Sequence, residues 1–440
     1  MKPVDIGSLL ETGRSSLYLK FLVVLTALAV IFDGADIQLL AVAIPTLMKD
    51  WNLPSAAFAN VVAAGLVGMM IGGALAGMAG DRLGRKVALL LSVLTFAVAT
   101  LAMAAAQGLL SLGILRFVAG IGLGGAMPNA AALVAEFVPK RQRTLAVTFA
   151  IICVPIGGIA TGFLAVKLLP VFGWRWLFII GGLVPLVCLI VQGIFLRESP
   201  RFLARHPGRW PELVDFLRRT GHKVAADVSF TDTTETNPGK ASVGALFTTE
   251  FWRDTVCLWI TFCSCMLAVY AGFNWIPSLL TGAGWARADG GLGILYFNLG
   301  GVAGAIAASL MIFRFGSRYV MLGMAVAAVL SALVLSRLTI SSHAPIFPVL
   351  AMLTVAGGLI NAMMITTYAL AAQVYPTAVR ATGVGAALAV GRFGAVLSAG
   401  VGSWMLERGG YPYFFTMVAG AMAISFISLA FIQRHIRRAA

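Results

Sequence analysis

Phe32-Asp33-Gly34-Ala35-Asp36 stands in the middle of an otherwise apolar run from about Leu19 to Ile44. A run of that length crosses a bilayer, since about 20 residues rising ~1.5 Å each span the hydrocarbon core. Two carboxylates in such a helix cost roughly 2.5–3.5 kcal/mol each on insertion scales. Spaced three apart, Asp33 and Asp36 share one helix face and can both point into a polar cavity instead of at lipid. They read as a site, for which the rest of the chain must supply the cavity and a counter-charge. The bland alternative leaves one Asp at the headgroups and makes the other a structural partner for a buried Arg.

The remaining sequence agrees with a membrane setting. Its 440 residues are 60% hydrophobic and 11% charged, against about 25% charged in soluble domains. Twelve apolar segments are predicted, at 19–44, 57–79, 87–106, 109–135, 144–168, 175–196, 254–281, 290–313, 319–338, 345–370, 382–405 and 411–433. The fold class is therefore an all-α membrane protein of twelve transmembrane helices in two pseudo-symmetric six-helix bundles. The expected division is an N-terminal bundle over 1–196, a cytoplasmic linker over 197–253 and a C-terminal bundle over 254–440. The net charge of +15 does not imply a nucleic-acid partner, because its placement explains it. Lys49, Lys167, Arg175, Arg287, Arg337 and Arg408 fall at one end of the segments and nearly all other Lys and Arg at the opposite end. That asymmetry is the positive-inside signature of a multi-pass inner-membrane protein with both termini cytoplasmic. Met1–Lys20 is polar and mixed in charge, unlike a cleavable signal.

Several chemistries are disfavoured. Cys153, Cys188, Cys257, Cys263 and Cys265 lie in apolar segments and read as ordinary thiols. His206, His222, His343 and His435 lie in loops or tails without ligand spacing, so no metal, no cofactor and no enzymatic centre is expected.

Arg116 and Arg392 are the cations left within the membrane. Arg116 lies seven residues, roughly 10 Å, from one surface, a depth that makes pairing with Asp33 or Asp36 feasible. Arg392 follows Arg380 by twelve residues, roughly 18 Å, near the midplane. A buried cation among aromatics suits an organic carboxylate, by charge-assisted pairing to the acid and ring contacts to the body. Asn274, Trp275, Tyr296, Asn298 and Tyr368 are its candidate companions, with Asn274-Trp275-Ile276-Pro277 interrupting the seventh segment. Its bland alternative is a structural Arg satisfied by helix-end carbonyls.

Gly80-Asp81-Arg82-Leu83-Gly84-Arg85-Lys86 forms a short charged turn that either only fixes topology or clamps neighbouring helix ends. The halves also look like diverged copies. Phe137-x-Pro139-x-x-x-Arg143 is echoed by Val374-x-Pro376-x-x-x-Arg380 at an offset of 237, while Phe313 stands where the first copy has Asp81. Copied halves with polar residues at mid-membrane are how many secondary transporters are built.

These residues resemble the major facilitator superfamily. The Gly80–Lys86 turn is similar to its signature between helices two and three, and Arg116-x-x-x-Gly120-x-Gly122-x-Gly124 to its fourth-helix motif. Glu136 and Arg143 with Arg197-Glu198-Ser199-Pro200-Arg201 resemble its cytoplasmic charge network. More narrowly, Asp33-Gly34-x-Asp36, Tyr375-Pro376-x-x-x-Arg380 and Gly391-Arg392-x-Gly394 are similar to the aromatic acid:proton symporter family. The resemblance implies a symporter importing benzoate- or hydroxybenzoate-like acids with protons. Its partners would be a small organic anion, protons and the lipid bilayer, and the protein a monomer. Burial and mutual repulsion favour a proton on Asp33 or Asp36, with Arg116 tuning them and Arg392 holding the carboxylate. Asp81, Gly84, Arg85, Glu136, Arg143, Arg201 and Arg380 would form the cytoplasmic gate. A sugar or other metabolite symporter, a drug exporter and a non-transporting sensor are the competing readings.

Overall fold

The computed structural model describes residues 4–12, 16–222, 224, 228–231, 243–249, 251–375 and 379–436. Eleven long helices dominate it. The first six are α1 (Leu17–Trp51), α2 (Ala59–Leu83), α3 (Arg85–Met103), α4 (Leu109–Phe137), α5 (Lys140–Phe172) and α6 (Trp174–Phe195). The rest are α7 (Trp252–Gly282), α8 (Arg287–Phe315), α9 (Ser317–Arg337), α10 (Ile346–Val374) and α11 (Arg380–Phe431). Local chemistry sets the ends of α1. Ser16 Oγ accepts from Leu19 N at 3.2 Å, and Asn52 closes the other end in the left-handed region at φ 50°.

The predicted eleventh and twelfth segments are joined in α11. Its 52 residues would measure ~78 Å, far more than one bilayer crossing of about 30 Å. The backbone turns within it at Gly410, φ 63° and ψ −154°. In the first half Gly173, φ 76° and ψ −176°, divides α5 from α6 with almost the same backbone. The two glycines lie 237 residues apart, the offset already visible in the sequence repeat. Gly410 therefore separates two spans, and the architecture has twelve crossings.

Glycine also sets helix spacing at one decisive place. A Cβ on Gly34 of α1 would meet the Val154 backbone of α5, and one on Gly157 of α5 would meet the backbone of Ile31 and Ala35. The two helices thus touch backbone to backbone at the level of Asp33 and Asp36, as only small residues permit. Outward-facing Leu75, Leu91, Ile190, Leu310 and Leu330 are exposed, as lipid-facing positions are.

At the end where the chain begins, the linker packs on the first helices. Its short helix Trp210–Arg219 buries Leu213, Val214, Phe216 and Leu217. Phe216 stacks 6.0 Å from Phe137 at the end of α4. Val4–Asp5 pairs in parallel with Phe230–Thr231, a two-residue ladder with no periodic signal in the sequence. Within the linker, residues 232–242 lie outside the described residues.

Candidate functional site

Both oxygens of the buried Asp36 carboxylate have partners. It is 1% exposed. Thr100 of α3 donates to its Oδ1 at 2.6 Å, and Arg116 Nη1 of α4 lies 3.1 Å from its Oδ2. Arg116 also donates to the carbonyls of Asp36 and Ile37 at 3.1 and 3.0 Å. The guanidinium reaches α1 because Gly65 of α2 leaves room: a Cβ there would strike the Arg116 side chain. The counter-ion of Arg116 is thus Asp36, and the pair together with Thr100 ties three helices of one bundle together. Nothing in the sequence pointed to Thr100, a lone hydroxyl in an apolar helix.

Asp33 is buried to the same degree, yet its Oδ1 has no hydrogen-bond partner among the described residues. The charges that act on it are those of Asp36, Arg392 and Arg116. Tyr270 of α7 feels both Arg392 and Asp33, and Tyr368 of α10 feels Tyr270 and Arg392. Asp33, Arg392, Tyr270 and Tyr368 therefore share one neighbourhood contributed by α1, α7, α10 and α11. Arg392 spends one donor on the Met69 carbonyl of α2 and retains others of its five for a ligand. Arg392, Tyr270 and Tyr368 keep partial exposure, as side chains lining an interior space do. Phe262 meets Tyr368 edge-on at 5.2 Å, and Phe273 meets Tyr270 at 5.9 Å.

Tyr270, Asn274 and Ser278 recur every fourth residue on α7, so they form one polar stripe. Asn274 Nδ2 and Ser278 Oγ are buried without a partner among the described residues. Tyr270 and Ser278 were absent from the sequence-derived set, although the spacing of four from Asn274 was there to be read.

Other expected companions are engaged elsewhere. Trp275 is fully buried and donates its indole N–H to the Ser398 carbonyl at 3.1 Å, clamping α7 to α11. One residue from Asn274 it sits about 100° round the helix, away from the stripe. Asn298 is also fully buried and spends its amide on Gln38 of α1. Tyr296 is half-buried against the core. The interruption expected at Pro277 does not occur: α7 runs unbroken through it. Neighbouring helices and side-chain hydroxyls support prolines inside membrane helices.

The expected gate residues gather where α2, α3 and α4 meet the linker. Asp81 pairs with Arg85 at 2.6 Å, and Arg85 lies 3.9 Å from Glu136. Ser199 donates to Glu136. Arg201 acts on Glu136 electrostatically, and Arg143 donates to the Ala135 carbonyl at 2.9 Å. Gly84 adopts φ 101°, a conformation only glycine takes cheaply. Glu198 fills the space beside it and accepts from Lys86 N at 3.0 Å, capping α3 from another segment. Arg380 begins α11, but its side chain lies outside the described residues.

The second half repeats this device in different chemistry. Gly316 takes φ 80° before α9, and the chain beyond α11 returns to it. Ser317 N donates to the Ile436 carbonyl at 3.0 Å, and Ile436 N to Ser317 Oγ at 2.9 Å. Backbone there does what the Glu198 carboxylate does in the first half. Glu198→Ala should cost about 1 kcal/mol, the worth of a helix cap. Thermal unfolding of the purified protein would fall by roughly 1–2 °C; an unchanged midpoint would deny Glu198 the capping role.

Residues 26–313 match the family model of the Major Facilitator Superfamily. The chain belongs to that superfamily. Among curated members it is 35% identical over 436 residues to the gallate transporter of Pseudomonas putida, covering 96% of this chain and 94% of that one. It is 34% identical over 429 residues to the 4-hydroxybenzoate transporter PcaK of Acinetobacter baylyi, covering 96% and 92%. The inward open conformation of the xylose transporter XylE from E. coli shares the fold, with a TM-score of 0.71 over 94% of this chain and 97% of that one. At 17% identity that likeness is one of fold alone. In this major facilitator chain, Asp33, Arg392 and the stripe of α7 are thus polar groups inside a fold that moves solutes between two bundles.

Proposed function

We propose that the protein is a proton-coupled symporter that imports small aromatic carboxylates across the inner membrane by alternating access. The observation that carries this reading is a partly buried Arg392 whose charge acts on Asp33, a buried acid whose Oδ1 has no partner among the described residues. A guanidinium with unused donors is a carboxylate receptor. An ionised carboxyl with a bare buried oxygen is costly, and the same group carrying a proton costs far less. Asp36 is already balanced by Arg116 and Thr100, so Asp33 is the proton carrier and the Asp36–Arg116 pair holds α1 in place. Tyr368, backed edge-on by the buried Phe262, offers a ring to an aromatic body. Asn274, one turn or ~6 Å beyond Tyr270 along α7, would meet a hydroxyl on the far side of the ring.

Residues 1–196 and 254–440 are the two bodies that rock about this site, joined by 197–253. The linker end, with both termini and most of the Lys and Arg, is cytoplasmic. Asp81, Arg85, Glu136, Ser199 and Arg201 form the cytoplasmic network of the first body. The chain works as a monomer, and it carries its cargo without making or breaking bonds in it. The supporting relatives are the gallate and 4-hydroxybenzoate transporters named above.

The direct test is uptake into proteoliposomes of labelled benzoate, hydroxybenzoates, a dicarboxylate and a hexose, with and without an inward proton gradient. Gradient-driven accumulation of the ring acids alone is expected; accumulation of the hexose instead would discard the aromatic assignment. Asp33→Asn should abolish accumulation against a gradient while leaving exchange of internal for external acid. If D33N still concentrates the acid, the proton travels on another group.

A further inference from the structure

The two bodies meet along α5 and α8. At the centre of that contact, Gln38 of α1 and Asn298 of α8 face each other as reciprocal amides. Asn298 Nδ2 donates to Gln38 Oε1 at 2.7 Å, and Gln38 Nε2 to Asn298 Oδ1 at 3.3 Å. Both side chains are 0% exposed. Gly158 of α5 lies directly against them, and a Cβ there would run into both amides. Towards the outer end the contact continues through Gly162 and Ala165 of α5 against Gly291 of α8. Gln38 stands two residues beyond Asp36 on α1, about 3 Å along the helix axis on the outer side of the buried acids.

We propose that Gln38, Asn298 and Gly158 form the outer gate of this transporter, closed in the present structure and broken as a unit when the site opens outward. The assignment rests on the alternating-access reading above. An amide pair suits the task because it is worth little net free energy in either direction. Closed, each amide is satisfied in a dry seam; opened, each exchanges its partner for water at small net cost. Misaligned closure would leave buried amides unpaired, so the pair also sets the register in which α5 and α8 meet. Gly158 supplies the close approach, and a side chain there is a wedge.

The test uses the whole protein in right-side-out vesicles with a reporter cysteine, Ala165→Cys, which lies fully buried in the seam. Its alkylation by a membrane-impermeant maleimide is read above that of the five native thiols. Adding Gln38→Leu should raise the labelling rate about fivefold, the population shift of one net hydrogen bond. Gly158→Leu should raise it further. The exchanged pair Q38N/N298Q, which keeps one long and one short amide, should return it to the parent rate. A second reporter, Ala97→Cys, sits inside the first bundle between α3 and α6 and should stay unlabelled throughout, which separates gate opening from misfolding. Unchanged labelling of A165C in both variants, or an equal rise at A97C, overturns the gate. Neither cargo nor proton gradient enters the assay, so that outcome would leave the carboxylate reading standing.

Discussion

Arg116→Ala should abolish uptake and destabilise the protein by about 3–5 kcal/mol, the cost of removing one member of a buried ion pair. The loss is large because the Asp36 carboxylate stays 1% exposed with only the Thr100 hydroxyl to balance it. The carbonyls of Asp36 and Ile37 lose a donor at the same time. Thermal unfolding in detergent, with uptake measured in parallel, reads both effects. The double variant Asp36→Asn/Arg116→Leu should regain much of the stability, since no unpaired charge remains, but not the transport. A wild-type unfolding midpoint for R116A would mean that the pair does not hold α1 in place.

Arg392→Ala should reduce uptake at low substrate concentration roughly 10- to 100-fold, as expected for losing a charge-assisted carboxylate contact worth about 1.5–3 kcal/mol. Stability should change little by comparison, because the hydrogen-bond partner left behind is the Met69 carbonyl, and Asp33, on which its charge acts, can take up a proton. Arg392→Lys should recover only part of the loss, since an ammonium cannot present the planar fork of a guanidinium. Apparent affinity is read from concentration-dependent uptake of several ring acids. If R392A leaves affinity and selectivity among them intact, the carboxylate is held elsewhere.

Both predictions concern residues singled out first by depth, and depth is what a membrane sequence states most clearly. A charge inside an apolar run is conspicuous because each one costs free energy in lipid. Asp33, Asp36, Arg116 and Arg392 were visible for that reason. Thr100, Tyr270 and Ser278 were not, since hydroxyls cost far less and recur throughout the helices. Trp275 and Asn298 looked like site residues by the same coarse measure. Their rotation about the helix axes commits them to Ser398 and Gln38 instead. The charged cluster of Asp81, Arg85 and Glu136 was readable as a group because charged turns stand out at the ends of apolar spans. Glu198 was seen only as part of a motif, for its role as a cap depends on a segment 112 residues away in sequence.

The spans, the positive end, the repeat at an offset of 237 and the acids and cations at mid-membrane could all be read from the chain's residues alone. Hydropathy and helix length are local sums, and they need no knowledge of neighbours. The packing of the helices settles which acid Arg116 pairs with, which one keeps a bare oxygen and that Gln38 meets Asn298. Those choices depend on the rotation of each helix about its axis and on how closely two backbones can approach. Gly34, Gly65, Gly157 and Gly158 set that approach, and a glycine shows what it permits only when the opposing helix is in place.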